Sequence, residues 1–450
     1  MPTRLRTLQR DLLDSLWFTP TVIALVYAVL ALVLLRADRA LGLDTQGRDA
    51  WAVGGADGAR GVLFAIAGTT LSVLGVVFSL TIVVLQIASA QFTPRVMRNL
   101  TGDRGTQVVL GVFLGTFTYA LIVLRAVRSS GEDGGGPGFV PVTAVAVAIV
   151  LALVSIGFMI YTINHVARSV QVAVIIKRVT HDTLNLLDEP LAGESGERHD
   201  PELAGPALPD EPGETIASRG DGYLEAIDAG ALLAAAGMRG LVVRTEAPVG
   251  SFLLSGAPLA TVWPEGMVDA DLTERLRSAF VIGPERTRQQ DVELGIRQLA
   301  DIAVRALSPA VNDPTTATLC IDRLGQLLVR AASRDETDVT TGPGGGRVML
   351  RGPSFARLTD VAFTQIRHYG AGDPLVATHL MTTLGEVAVR VPASQREPLR
   401  EQAAALLTEV RQVVRVEYDV SRVEAAGAWM GRESDVGGRE SAGAGMSVRR

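Results

Sequence analysis

Apolar residues follow two arrangements along this chain. In the first third they form long unbroken runs; beyond residue 220 they recur at short periods between polar positions. The longest run, from Val62 to Ala90, holds no charged residue. As a helix it extends about 43 Å at about 1.5 Å per residue, and a bilayer core is about 30 Å thick. The segment therefore spans a membrane and projects beyond it. Three other runs are long enough to span: Trp17 to Leu35, Val108 to Leu124, and Phe139 to about Ile163. Together they predict a four-helix transmembrane domain over 17–165. No small-residue cleavage site follows the first run at once, so it is read as a retained helix. Residues 1–16 set Arg4, Arg6 and Arg10 against Leu5, Leu8, Leu12 and Leu16, the pattern of an amphipathic helix in the headgroup layer.

Two small-residue patterns lie within these spans. Gly68, Ser72, Gly75 and Ser79 fall at i, i+4, i+7 and i+11, and Gln86 continues their face. Such a face either admits a neighbouring helix or leaves room for water, and both readings stay open. Gly111 and Gly115 form a G-x-x-x-G helix-packing motif in the third span.

The second half reads as a cytoplasmic α+β domain. Apolar residues keep helical spacing past the fourth span to Leu187, which predicts a stalk helix over 166–188. Residues 189–219 carry eight acids, two bases and five prolines, the composition of a disordered linker. Short period-2 runs between Gly and Pro then predict a small β unit over 221–264. Its run APVGSFLLSGAPLATV resembles the hairpin of biotinyl and lipoyl carriers, but no acceptor lysine is present, so no swinging-arm cofactor is expected. Helical stripes predict a bundle over 270–420, with TGPGGGR at 341–347 as a loop and 424–450 as a disordered tail.

Composition narrows the chemistry. The 450 residues are 48% hydrophobic and the net charge is -6, so nucleic acid is not an expected partner. The lone cysteine, Cys320, excludes an internal disulfide. Lys177, in the stalk segment, is the only lysine, which removes both a P-loop and a Schiff-base lysine in the cytoplasmic half. There is no G-x-S-x-G and no H-E-x-x-H, and the five histidines lack ligand spacing. No enzyme, metal or cofactor is expected.

One cytoplasmic constellation stands out, PERTRQQD at 284–291 and RALSPAVNDPTTA at 305–317. Arg286, Asp291, Arg305, Asn312 and Asp313 could form a site for a small anionic ligand or another subunit. The structural alternative is equally concrete. Asp313 is a good N-cap, Pro314 a good first helical residue, and Ser308-Pro309 a good stop for the preceding helix.

SLWFTP, GGADGAR, VVFSLTIVVLQIASAQFTPRVMRN, LGVFLGTFTYAL, ERTRQQDVELGIRQLADIAVRALSPAVNDPTTA and QIRHYG resemble the characteristic runs of a bacterial family of predicted membrane proteins. It is the domain-of-unknown-function family numbered 2254. The likeness runs from residue 11 to about 415. It departs at Asn164-His165, where such proteins are expected to carry a histidine pair. The resemblance implies an inner-membrane protein with an N-terminal membrane half, and no activity. Arginines flank the N-terminus, the 89–107 loop and the exit of the fourth span, which puts both termini in the cytoplasm. Two functions remain open: a homo-oligomeric channel or transporter regulated by its cytoplasmic domain, or a non-conducting sensor or scaffold that binds a partner.

Overall fold

A computed structural model describes residues 17–41, 55–91, 104–129, 139–169, 171–189, 197–198 and 211–431. It divides into two compact units, which meet in sequence between Val174 and Ile175. The expected amphipathic helix over 1–16, the link at 130–138, most of the acidic linker and the tail beyond 431 lie outside the described residues.

The N-terminal unit contains four helices long and apolar enough to cross a membrane. They are α1 (Phe18–Ala40), α2 (Gly55–Gln91), α3 (Arg104–Ala126) and α4 (Val142–Ser169). Helix α3 is the central one: 61% of its apolar window is buried, against 17–28% for the others, and it packs on all three neighbours. Its two motif glycines let α1 approach. A Cβ at Gly111 would fall 2.6 Å from Ile23 Cδ1, and one at Gly115 2.9 Å from Tyr27 Cγ.

Hydrocarbon cannot satisfy polar groups, and several of those in the spans pair across helices. The Thr19 hydroxyl donates to Gln107 Oε1 at 2.7 Å, and Thr116 and Ser155 hydroxyls lie 3.1 Å apart. In the first turn of α4, Ala144 N–H donates to buried Asp38 and Ala144 C=O accepts from the Tyr119 hydroxyl.

The C-terminal unit opens with α5 (Val172–Asp188), whose residues Ile175, Ile176, Val179, Thr183 and Leu187 are buried. The segment expected as a stalk, 166–188, is thus divided between two helices, and its latter part is packed within the second unit. Helix α4 ends at Ser169, and from Ile175 onward α5 is a packed element of the second unit. A helical stripe looks the same in sequence whether the helix stands alone or is buried. Gly295 on α8 (Val292–Ala306) permits the contact, since a Cβ there would meet Thr183 Oγ1.

Sheet formation also differs from the expected small β unit. The strands are β1 (Glu197–Arg198), β2 (Glu214–Ala217), β3 (Gly222–Ile227), β4 (Val242–Thr245), β5 (Phe252–Leu253), β6 (Pro258–Trp263), β7 (Phe280–Gly283), β8 (Thr337–Thr341) and β9 (Arg347–Arg351). The larger sheet has the order β1-β8-β9-β4-β6-β2, with β4 and β9 parallel and the other pairs antiparallel. The smaller has the order β5-β3-β7. Strand β2 thus comes from the predicted linker, and the β8-β9 hairpin comes from inside the predicted bundle. Gly344 and Gly345, both with φ near +80°, supply the tight turn between those strands. The larger sheet shares one core with the short helices α6 (Ala229–Gly237) and α7 (Ala270–Ser278), including Leu232, Leu241, Val243, Leu259, Val262, Leu276 and Val348.

Around α8 the remaining helices form the bundle: α9 (Pro314–Ala332), α10 (Phe355–Gly370), α11 (Pro374–Arg390), α12 (Glu397–Val413) and α13 (Glu417–Ala426). The folded chain runs past the expected end at 420, and Trp429 packs against Gly385.

The central role of α3 makes a specific prediction. Gly115→Leu drives a branched side chain into Tyr27 and should destabilise the N-terminal unit by about 1–3 kcal/mol. The measurement is the thermal transition and the yield of folded protein in detergent.

Candidate functional site

In the C-terminal unit a cleft of about 940 Å³ opens between the loop after β4, the end of β9 and the first turn of α10. Strand alternation begins it. Val243 and Thr245 of β4 are buried, which turns Arg244 and Glu246 to the other side. Arg244 donates to Glu246 Oε1 from Nε and Nη2 at 3.1 and 2.8 Å, and its guanidinium lies 5.4 Å from the Trp263 ring centroid. Burial raises the Glu246 carboxyl, but the hydroxyl of Thr261 and the Arg244 guanidinium outweigh that and hold it below its usual range.

The floor is an ion-pair network at the start of α8. Asp291, 1% exposed, caps the helix by accepting from Leu294 N–H at 2.9 Å. It also takes a two-pronged contact from Arg286, Nε to Oδ2 at 2.6 Å and Nη2 to Oδ1 at 2.7 Å. Arg286 Nη1 continues to Glu293 at 3.1 Å, and Glu293 accepts from Arg297 at 2.9 Å and from Arg357 of α10 at 3.0 Å. Burial works against charge on Arg286, yet Asp291 and Glu293 more than offset it and raise its pKa. Burial likewise raises Glu293, but the arginines, Arg357 foremost, hold it at about 2.

Gly250 seals this floor from above. Its φ is +92°, and a Cβ there would come within 2.4 Å of Asp291 Oδ2 and 2.5 Å of Arg286 Nη2. Only glycine lets the loop backbone lie directly on the buried pair.

The structure divides the residues singled out in the sequence. Arg286 and Asp291 meet in the cleft floor. Arg305, Asn312 and Asp313 lie at the opposite end of α8, about 20 Å away along a 15-residue helix. There Asn312 adopts φ 48°, and Asp313 caps α9 by accepting from Thr316 N–H at 3.1 Å and Thr316 Oγ1 at 2.6 Å. The transmembrane set divides too. Gly111 and Gly115 are buried against α1, whereas Gly68, Ser72, Gly75, Ser79 and Gln86 all lie on exposed parts of α2. Among the described residues no cluster of three or more His, Cys, Asp or Glu could hold a metal ion. The cleft residues Arg244, Glu246, Glu293, Glu336, Arg351 and Arg357 escaped the sequence reading. The one signal for them was the alternation in VVRTE, which spaces Arg244 and Glu246 on one strand face.

Two outcomes test the floor. Asp291→Ala removes a cap and deprives Arg286 of its main partner, and should cost about 3 kcal/mol. Glu293 has a depressed pKa, so its contribution is present above its ordinary value of 4.5 and is lost as pH falls toward about 2. In Glu293→Gln the acid limb of a pH series of thermal melts should flatten over that window.

Comparison with known proteins adds a family. The family of predicted membrane proteins DUF2254 matches residues 13–386. An uncharacterized protein of Mycobacterium bovis and one of Mycobacterium tuberculosis are each 37% identical over 379 residues, which is 82% of this chain and 71% of theirs. An uncharacterized protein from a second Mycobacterium tuberculosis strain is 36% identical over 377 residues. No solved structure matches the chain. The match spans the apolar helices and most of the C-terminal unit, so the chain belongs to the DUF2254 family of predicted membrane proteins.

Proposed function

We propose that this protein is a homo-oligomeric channel or transporter of the bacterial inner membrane, with both termini and the C-terminal unit in the cytoplasm. The observation that carries the reading is the uncovered face of α2. Gly68, Ser72, Gly75, Ser79 and Gln86 fall within an arc of about 60° at about 100° per residue. Among the described residues no helix covers them, and a Cβ at Gly68 or Gly75 would meet nothing within 4 Å.

A face meant only for lipid gains from large apolar side chains. A stripe of small and hydroxyl residues gains instead from another helix or from water. The centre of the protomer is occupied by α3, so a solute path has its place between copies. The 37 residues of α2 extend about 55 Å, well beyond a bilayer core of about 30 Å. Topology rests on the arginine distribution. Arg95, Arg98 and Arg104 lie in sequence between the second and third apolar runs, and Arg168, Lys177 and Arg178 follow the fourth. The first loop carries four arginines of its own, which pull the other way. The reading assigns no enzymatic reaction.

Reporter fusions after residue 100 and at the C-terminus should both report the cytoplasm, and one at residue 134 the outside. An external C-terminus would overturn the topology. For conduction, Gly75→Leu should leave the protomer folded and the oligomer assembled while blocking solute flux in proteoliposomes, because an apolar constriction dewets. Cysteines introduced singly at 72, 75, 79 and 86 should react with a polar thiol reagent. Native Cys320 stays silent, since burial pushes its thiol up to about 12. Four unreactive cysteines, together with loss of oligomers in Gly75→Leu, would replace the channel by a non-conducting scaffold.

A further inference from the structure

We propose that the cleft beside β4 and α10 binds a small phosphorylated molecule that carries an aromatic ring, the chemistry of a nucleotide. The cleft volume, about 940 Å³, suits a small-molecule site, for which about 300–1,000 Å³ is usual. Its charge is distributed unevenly. Arg286 and Arg244 are committed to carboxylates. Glu293, in turn, is shared by Arg286, Arg297 and Arg357, which leaves it little negative potential to offer.

Two guanidiniums remain with donors to give. Arg351 is exposed and makes a single long side-chain bond, 3.4 Å to Glu246 C=O. Arg357 holds Glu293 through Nε and Nη2, and its Nη1 has no hydrogen-bond partner among the described residues. Both line the cleft, as does the first turn of the 16-residue helix α10. The open fork of Arg351 and the Nη1 of Arg357, beside a helix N-terminus, fit the oxygens of a phosphate. The chain already holds a carboxylate there, since Glu336 Oε1 accepts from Phe355 N–H at 3.1 Å.

An aromatic surface stands at the same cleft. Phe252 is 56% exposed, unusual for a phenylalanine on a two-residue strand, and its ring is held edge-on to Tyr223 at 5.0 Å. Val249 and Met349 add apolar wall. The exposed carboxylate of Glu336 can accept from the amino or hydroxyl groups that such a ligand carries. Each component has its counterpart: guanidinium donors for phosphate, an aromatic ring for stacking, a carboxylate for donors.

Binding is measured on the full-length protein in detergent, without any flux assay, so the result stands apart from the channel reading. Isothermal titration and thermal melts with ATP, ADP, AMP and GTP are compared with inorganic phosphate and adenosine. At least one nucleotide should bind saturably with Kd below about 1 mM and raise the melting temperature. Arg351→Gln should weaken that binding about tenfold or more without moving the melt of the unliganded protein. Arg351→Lys, which keeps the charge and loses the fork, covers the case in which the glutamine variant fails to fold. Phe252→Ala should weaken nucleotide binding and leave phosphate binding unchanged. The proposal is overturned if no nucleotide binds saturably, if nucleotides bind no better than phosphate, or if Arg351 and Arg357 variants bind as the parent does.

Discussion

The buried pair of Arg286 and Asp291 is the contact on which the C-terminal unit turns. Removing two charges from water costs several kcal/mol per ion, and that cost is offset only by good geometry and further hydrogen bonds. Here both conditions hold. The guanidinium meets the carboxylate through two donors, and Asp291 also accepts a free first-turn N–H of α8. One aspartate therefore starts a helix, neutralises an arginine and, through Gly250, seats the loop that walls the cleft. Glu293 extends the network to α10, so the loop after β7 and two helices of the bundle are joined by charge.

The N-terminal unit is governed by a different constraint. Hydrocarbon offers no hydrogen bonds and no hydrophobic drive between helices, so close packing and internal polar pairs must do the work. Helix α3 satisfies both. Its glycines bring α1 close, and its Gln107, Thr116 and Tyr119 pair with groups on α1 and α4. Asp38 extends the same logic by closing the open N–H end of α4. On α2, by contrast, Gly68 and Gly75 meet no neighbouring helix among the described residues, and that asymmetry between Gly115 and Gly75 makes the two substitutions informative together.

Much was legible in the sequence, for reasons of local chemistry. Uncharged runs about as long as a bilayer core, or longer, marked the four apolar helices. The runs from SLWFTP to QIRHYG marked the family. Asp313 and Pro314 marked a helix start, because an N-cap is a bond between residues two or three apart. The G-x-x-x-G motif marked a close helix contact, although nothing in it named α1 as the partner.

What only the tertiary structure decided was every pairing between distant segments. Helical spacing in 166–188 told that α5 has an apolar face, and only packing showed that the second unit buries it. The strands at 214–217 and 337–351 lie in stretches read as linker and bundle, because four or five residues carry too little period to declare themselves; their partners β6 and β4 supply the missing hydrogen bonds. Arg286 and Arg305 were grouped in the sequence as candidates for one site. Folding set one beside Asp291 and Glu293 and the other at the far end of α8. Period and composition are properties of neighbours along the chain, whereas a cleft is made by residues that only the fold brings together.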